Sequence, residues 1–182
     1  MENSTKVVTG KVRFCYVNVF EPTAMNEGDT PKYNICILIP KDDAKTLEKI
    51  NKAIEAAKQA GKAKLADKNG KIPSNLKLPL RDGDDERGDD PAFEGMYFIN
   101  ANSNRKPSIV DKDLNPIMEK EEFYSGCFGR ASINFYAFNV SSKGIATGLN
   151  NLQKLEDGEM EAGGSTAEED FGGENEWNDE LM

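Results

Sequence analysis

The spacing of hydrophobic and polar positions changes several times along the chain, and each change marks an element. Residues 11–20, Lys-Val-Arg-Phe-Cys-Tyr-Val-Asn-Val-Phe, are dense in β-branched and aromatic side chains, which suit a pleated, half-buried strand. Residues 21–31 carry Pro22, Gly28, Asp29 and Pro31 and predict a loop. Tyr33 to Ile39 is nearly all apolar and predicts a second strand, which Pro40 ends. Leu47, Ile50, Ile54 and Ala57 then recur at intervals of three and four, marking one face of an amphipathic helix. Asp42 or Asp43 supplies its N-cap and Gly61 lies just past its end. Its other face carries Lys45, Lys49, Lys52 and Lys58, which read as a solvated face, with DNA contact as the alternative.

Ala63 to Pro91 is polar and rich in Lys, Asp, Gly and Pro; Asn69-Gly70 is a turn signal, and only Leu76 to Leu80 is expected to be ordered. Met96 to Ala101 and Pro107 to Val110 read as strands. The clearest strand is Cys127 to Val140, where Ala131, Ile133, Phe135 and Ala137 alternate with Arg130, Ser132, Asn134 and Tyr136. That alternation puts one face on a core and leaves the other free. Five or six short strands with one helix predict a β-rich fold, mainly antiparallel with one or two helices. A small barrel of the OB-fold kind is the natural candidate. Pattern alone does not separate it from other small β barrels. After about Lys154 all periodicity stops, and Gly, Glu, Asp, Ser and Asn dominate.

Composition sharpens that break. Hydrophobic residues make up 37% of the 182, enough for one core but low for a chain packed throughout. From Glu156 to Met182 there are 11 acidic residues and no Lys or Arg. Residues 1–155 therefore hold 21 acidic residues against all 23 basic ones, so a net charge of −9 hides a body of +2. The expected division is an OB-fold body over 1–155 and a disordered acidic tail over 156–182. Such asymmetry points toward a nucleic-acid partner and an interaction tail. The chain has no histidine, no CxxC and three dispersed cysteines, which argues against a zinc site and against imidazole-based catalysis. No cofactor is expected. No apolar run approaches the length of a membrane span and Met1 to Thr9 is polar, so a cytoplasmic protein without membrane contact is expected.

Several blocks are informative together: Val12-Arg13-Phe14 with Phe20-Glu21-Pro22, Lys32-Tyr33, Ile39-Pro40-Lys41 and Leu78-Pro79-Leu80-Arg81-Asp82-Gly83-Asp84. Further along come Gly95-Met96-Tyr97-Phe98-Ile99-Asn100-Ala101, Lys106-Pro107 with Val110-Asp111, and Phe123-Tyr124-Ser125-Gly126-Cys127. The last are Asn134-Phe135-Tyr136-Ala137-Phe138, Lys143-Gly144-Ile145 and Gly148-Leu149-Asn150-Asn151. No single block is diagnostic, but their order over about residues 11–160 is specific in combination. It resembles a family of tailed-phage single-stranded-DNA-binding proteins, once classed as a domain of unknown function. The resemblance implies an OB-fold that binds single strands with little sequence preference in phage replication or recombination, inside the infected bacterial cell. It also implies an acidic tail. Many members end in Phe after acidic residues, whereas this chain reads Asp179-Glu180-Leu181-Met182.

Single-strand binding needs cations that follow the phosphates and aromatic faces on which bases stack. The body places both types together: Arg13 beside Tyr16, Lys32 beside Tyr33, Arg105 and Lys106 after the strand of Tyr97, and Arg130 sharing a face with Tyr136. Arg81 joins them, presented by a turn that Asp82 and Asp84 order. Core packing is the alternative for each aromatic, and is preferred for Phe14, Phe98, Phe135 and Phe138. In the tail, Asp170, Phe171, Trp177, Asp179, Glu180 and Leu181 form the candidate contact for a replication or recombination enzyme. Neither Asp82 onward nor Asp111 onward meets the spacing of a calcium loop, so no metal site is expected. The leading function is therefore non-enzymatic single-strand binding and protection. A phage structural or assembly protein without nucleic-acid binding is the alternative, and a metal-dependent nuclease a third class. Whether the body forms a homodimer is left open.

Overall fold

The structure, a computed structural model, describes residues 4–24, 27–28, 30–140 and 142–159. Its strands are β1 (Lys6–Val8), β2 (Val12–Thr23), β3 (Lys32–Pro40), β4 (Arg81–Asp82), β5 (Met96–Ser103), β6 (Ser108–Val110), β7 (Phe128–Val140) and β8 (Ser142–Glu156). The helices are α1 (Ala44–Ala60), α2 (Lys62–Leu65) and α3 (Gly83–Glu86), with a 3-10 turn at Pro91–Phe93. β2 pairs with β3, β3 with β5, β5 with β8, β8 with β7, and β7 returns to β2. Five strands thus close into a barrel, the architecture of an OB-fold. β1, β4 and β6 are short additions that pair with β7, β5 and β8.

Alternation fills the barrel. Ile35, Ile37 and Ile39 of β3, Ile99 and Ala101 of β5, and Ala131, Ile133 and Phe135 of β7 point inward and are buried. Both the odd-numbered core face of β7 and the apolar face of α1 are as the pattern predicts. Ile50, Ala53, Ile54 and Ala57 join the barrel core as α1 packs on β7. Asp43 caps α1 by accepting from the Thr46 N–H at 3.2 Å. Gly61 then turns the chain so tightly onto β7 that a Cβ there would lie 2.2 Å from the Ala137 Cβ.

A second, smaller core lies outside the barrel wall. Cys15 and Cys36, register partners on β2 and β3, meet Leu38, Phe93 and Phe98 there. This cluster corrects the expectation that only Leu76 to Leu80 would be ordered between Ala63 and Pro91. The segment from Arg81 to Phe93 is folded, held by Asp caps and one anchor. Asp82 accepts from the Asp84 N–H, Asp90 accepts from the Ala92 N–H, and Phe93 is buried edge-on against Phe98 at 5.2 Å between ring centres.

Three boundaries also differ. β2 runs on to Thr23, through the predicted loop residues Glu21 and Pro22. β8 carries no clear strand pattern in the sequence, because its inward residues include Thr147 as well as Ile145, Leu149 and Leu152, and the register slips opposite Ser132 and Ile133. At the C-terminal end, ordered structure passes the expected body limit of 155. Glu156 pairs with Phe128, Lys154 holds Asp157 at 2.6 Å, and the Tyr124 hydroxyl accepts from the Gly158 N–H at 3.1 Å. The tail residues from Met160 onward lie outside the described residues, and with them Asp170, Phe171, Trp177, Asp179, Glu180 and Leu181.

Candidate nucleic-acid interface

The outward faces of β2, β3 and β5 form a groove of about 770 Å³. Its position follows from register. Asn34 and Cys36 of β3 stand opposite Asn102 and Asn100 of β5, one residue out of phase with the inward Ile35 and Ala101. Along one wall the Asn18 side-chain amide donates to Asn34 Oδ1 at 3.0 Å, and the Asn34 amide donates to the Thr23 hydroxyl at 2.9 Å. Tyr16 enters from β2 with φ of 47°, at a bulge where pairing with β3 slips between Cys15 and Asn18. The bulge turns its ring outward, and it is 41% exposed. Lys32 lines the groove at the start of β3 and Arg87 at its rim, where the guanidinium sits 5.8 Å from the Tyr16 ring and 5.3 Å from Phe93. None of the described lining residues is acidic.

Arg87 is held there by the folded connection. Lys41 pairs with Asp82 at 2.8 Å and with Asp84 at 2.7 Å, and Asp84 also accepts from the Gly95 N–H at 3.1 Å. Hydrogen bonding from Lys41 keeps both carboxyls below the usual carboxylate range, and the same contacts push the Lys41 ammonium above its ordinary value. Arg87 escaped sequence reasoning because five of its six neighbours from Asp84 to Asp90 are acidic, which reads as repulsive to phosphate. Only the fold shows that its side chain leaves that run.

A second pocket of about 500 Å³ lies nearby, lined by Lys6, Ser103, Arg105, Lys106, Ser108, Leu149, Asn150 and Asn151. Its described lining residues include no acid either. A third groove, of about 450 Å³ between β2 and the 120–125 loop, mixes Lys120 with Glu21 and Glu121. Charge therefore separates the first two from the third.

The ten sequence-derived candidates divide among these places. Tyr16 and Lys32 meet in the first groove, and Arg105 and Lys106 in the second pocket. Tyr136 is 43% exposed on the outer face of β7, with Arg130 on the same face donating to the Thr9 carbonyl at 2.9 Å. Tyr33 and Tyr97 fall in register with the inward set of β3 and β5, and Lys41 covers the Tyr97 ring at 5.3 Å. Arg81 donates to Glu86 at 3.0 Å and stands over Phe98. Arg13 donates to the carbonyls of Gly126 and Glu159, beside the root of the tail. The structure thus brings four of the ten into the two cationic depressions.

The profile of a phage family, described as the single-stranded-DNA-binding protein of Enterobacter phage Enc34, matches residues 5–182. The chain belongs to the Enc34 single-stranded-DNA-binding protein family. The protein p50 of Acyrthosiphon pisum secondary endosymbiont phage 1 is 28% identical over 166 residues, 89% of each chain. Among solved structures, the Enc34 protein in complex with single-stranded DNA superposes with a TM-score of 0.74 at 26% identity, covering 89% of this chain and 95% of that one. Its C-terminal truncation gives 0.72 at 26%, covering 88% and 94%. The bacteriophage T7 protein gp2.5 shares the fold at 13% identity, with a TM-score of 0.63 over 93% of this chain and 98% of that one. The Enc34 family thus shares the barrel seen here, and its match runs on into the acidic segment.

Proposed function

We propose that the protein binds single-stranded DNA with little sequence preference, along the groove on β2, β3 and β5, and protects it during phage replication or recombination. The observation that carries this reading is the groove's lining: an exposed Tyr16, the cations Lys32 and Arg87, a row of amides, and no described acid. Every base offers a π face to Tyr16, so stacking there is indifferent to sequence. The cations answer the phosphates, and the amides hydrogen-bond sugar, phosphate or base edges as the strand presents them. Family membership favours the same ligand, since the Enc34 relative is described in complex with single-stranded DNA. The protein acts as a binding protein rather than an enzyme, in the cytoplasm of the infected cell. Its acidic tail recruits a partner enzyme through Phe171, Trp177 and Leu181 with their acidic neighbours.

Counterion release gives a direct test. Each phosphate neutralised on a single strand adds about −0.7 to the slope of log K against log salt. Lys32→Gln with Arg87→Gln should make the slope for oligo-dT shallower by about 1.4. Lys45→Gln with Lys49→Gln, on the exposed face of α1, should leave it unchanged. An unaltered slope in the groove pair would contradict this placement of the strand.

A further inference from the structure

The groove and the second pocket are joined by a feature that neither shows alone. Register pairs run Asn18 to Asn34, Asn34 to Asn102, Asn102 to Gly148, Gly148 to Asn134 and Asn134 to Lys6. Four asparagines and one glycine therefore form a belt on the outer wall across six strands, ending on a lysine. Five strand spacings of about 4.8 Å make the belt roughly 24 Å long. Gly148 sits at its middle. A Cβ there would press to 2.9 Å from the Asn134 side-chain oxygen, so the glycine lets that amide lie across β8.

The two ends differ in chemistry. The groove end has Tyr16 and suits bases, whereas the pocket end has no aromatic among its described lining residues and gathers Lys6, Arg105 and Lys106 with the Ser103 and Ser108 hydroxyls. Among the described residues neither Lys6 nor Arg105 pairs with a carboxylate, and Lys106 rests over the Phe20 ring at 5.4 Å. Asn102 of the groove and Ser103 of the pocket are consecutive residues, so both depressions reach the C-terminal end of β5.

We infer that a bound single strand does not end in the groove but crosses Gly148 along the asparagine belt, delivering its phosphodiesters to the Lys6, Arg105 and Lys106 pocket. The footprint then has two parts, a base-stacking segment and a phosphate segment. This rests on the single-strand reading above and adds the course of the strand. The belt also gives a reason for selectivity. It bends around a barrel within a few nanometres, and a duplex, with a persistence length of about 150 base pairs, does not follow such a curve without a large bending cost.

The test compares oligo-dT of about 4 and about 16 nucleotides, the two ends of the range an OB-fold covers. Both are titrated against the full chain and against Lys6→Gln with Arg105→Gln, two exposed positions whose change leaves the core intact. The longer oligonucleotide should lose about tenfold or more in affinity at low salt, and its salt slope should become shallower by about 1.4. The shorter one, held by the groove, should be unaffected. Equal loss for both lengths, or no loss for either, would overturn the two-part footprint while leaving the groove reading standing. Failure of the unaltered protein to bind any oligo-dT would instead overturn the groove reading, and the two-part footprint with it.

Discussion

Tyr16 holds the one backbone conformation in the groove that a tyrosine does not favour. With φ of 47° it occupies the left-handed region, at a cost of roughly 1–2 kcal/mol for a residue with a Cβ. Glycine removes that strain but restores about 0.5–1 kcal/mol of unfolded-state freedom. Tyr16→Gly should therefore leave the melting temperature unchanged or slightly raised. Under the proposed stacking, worth ~1–3 kcal/mol per base, the same substitution should lower oligo-dT affinity between about fivefold and 150-fold. A parallel fall in melting temperature and affinity would make Tyr16 a packing residue. Tyr136→Ala, on the outer face of β7, should likewise spare stability, read as an unchanged melting temperature; unfolding would invert that face assignment. This is also the scale at which the sequence is hardest to read. Alternation placed Ile133 and Tyr136 on the correct sides of β7, where the period is unbroken. It has no means of seeing the slip between Cys15 and Asn18 that turns Tyr16 outward, nor that Tyr33 and Tyr97 share the inward phase.

Among the elements, the connection from Arg81 to Phe93 positions Arg87 with very little hydrophobic content. Phe93→Ala should cost about 3–5 kcal/mol in denaturant unfolding, the usual loss for a buried phenylalanine, and should lower DNA affinity by freeing Arg87. Stability unchanged within 1 kcal/mol would mean that the second core is not a packed unit. The Lys41 pin has its own pH signature. Asp82 and Asp84 are depressed below the ordinary carboxylate value of about 3.9, so their contribution is present above that pH and is lost as pH falls through the lower folded values. Lys41 is raised, so its contribution is present below about 10.4 and disappears only at higher pH. The difference in melting temperature between the native protein and Lys41→Met should be constant from about pH 5 to 9 and shrink below about pH 4. A difference that grows on acidification would contradict the pin. α1 and β7 are legible because their period is carried by large apolar side chains. The 81–93 connection is not, because one phenylalanine and three Asp side chains carry no period at all.

At the scale of the whole molecule, charge is divided between residues 1–155 and the acidic segment after them, and this division is plain in the sequence from Glu156 onward. That β8 and a docked turn continue past that point is not. Composition turns acidic at Glu156, yet Asp157 and Gly158 are docked through Lys154 and Tyr124 by side chains that precede them. Removing residues 160–182 should therefore raise affinity for oligo-dT at low salt without lowering the melting temperature. The expectation follows from tethering, which would hold the acidic segment at roughly millimolar local concentration against the same cations. Removing 156–182 should have the same effect on affinity but lower the melting temperature as well, and equal melting temperatures for the two truncations would show that the docked turn contributes nothing. The central claim, that this barrel selects single strands, is tested most directly by fluorescence anisotropy of the full chain with labelled oligo-dT and duplex of equal length as competitor. Tighter binding of oligo-dT, weakening steeply with added salt, is the result this account predicts; equal competition by the duplex at moderate salt would contradict it.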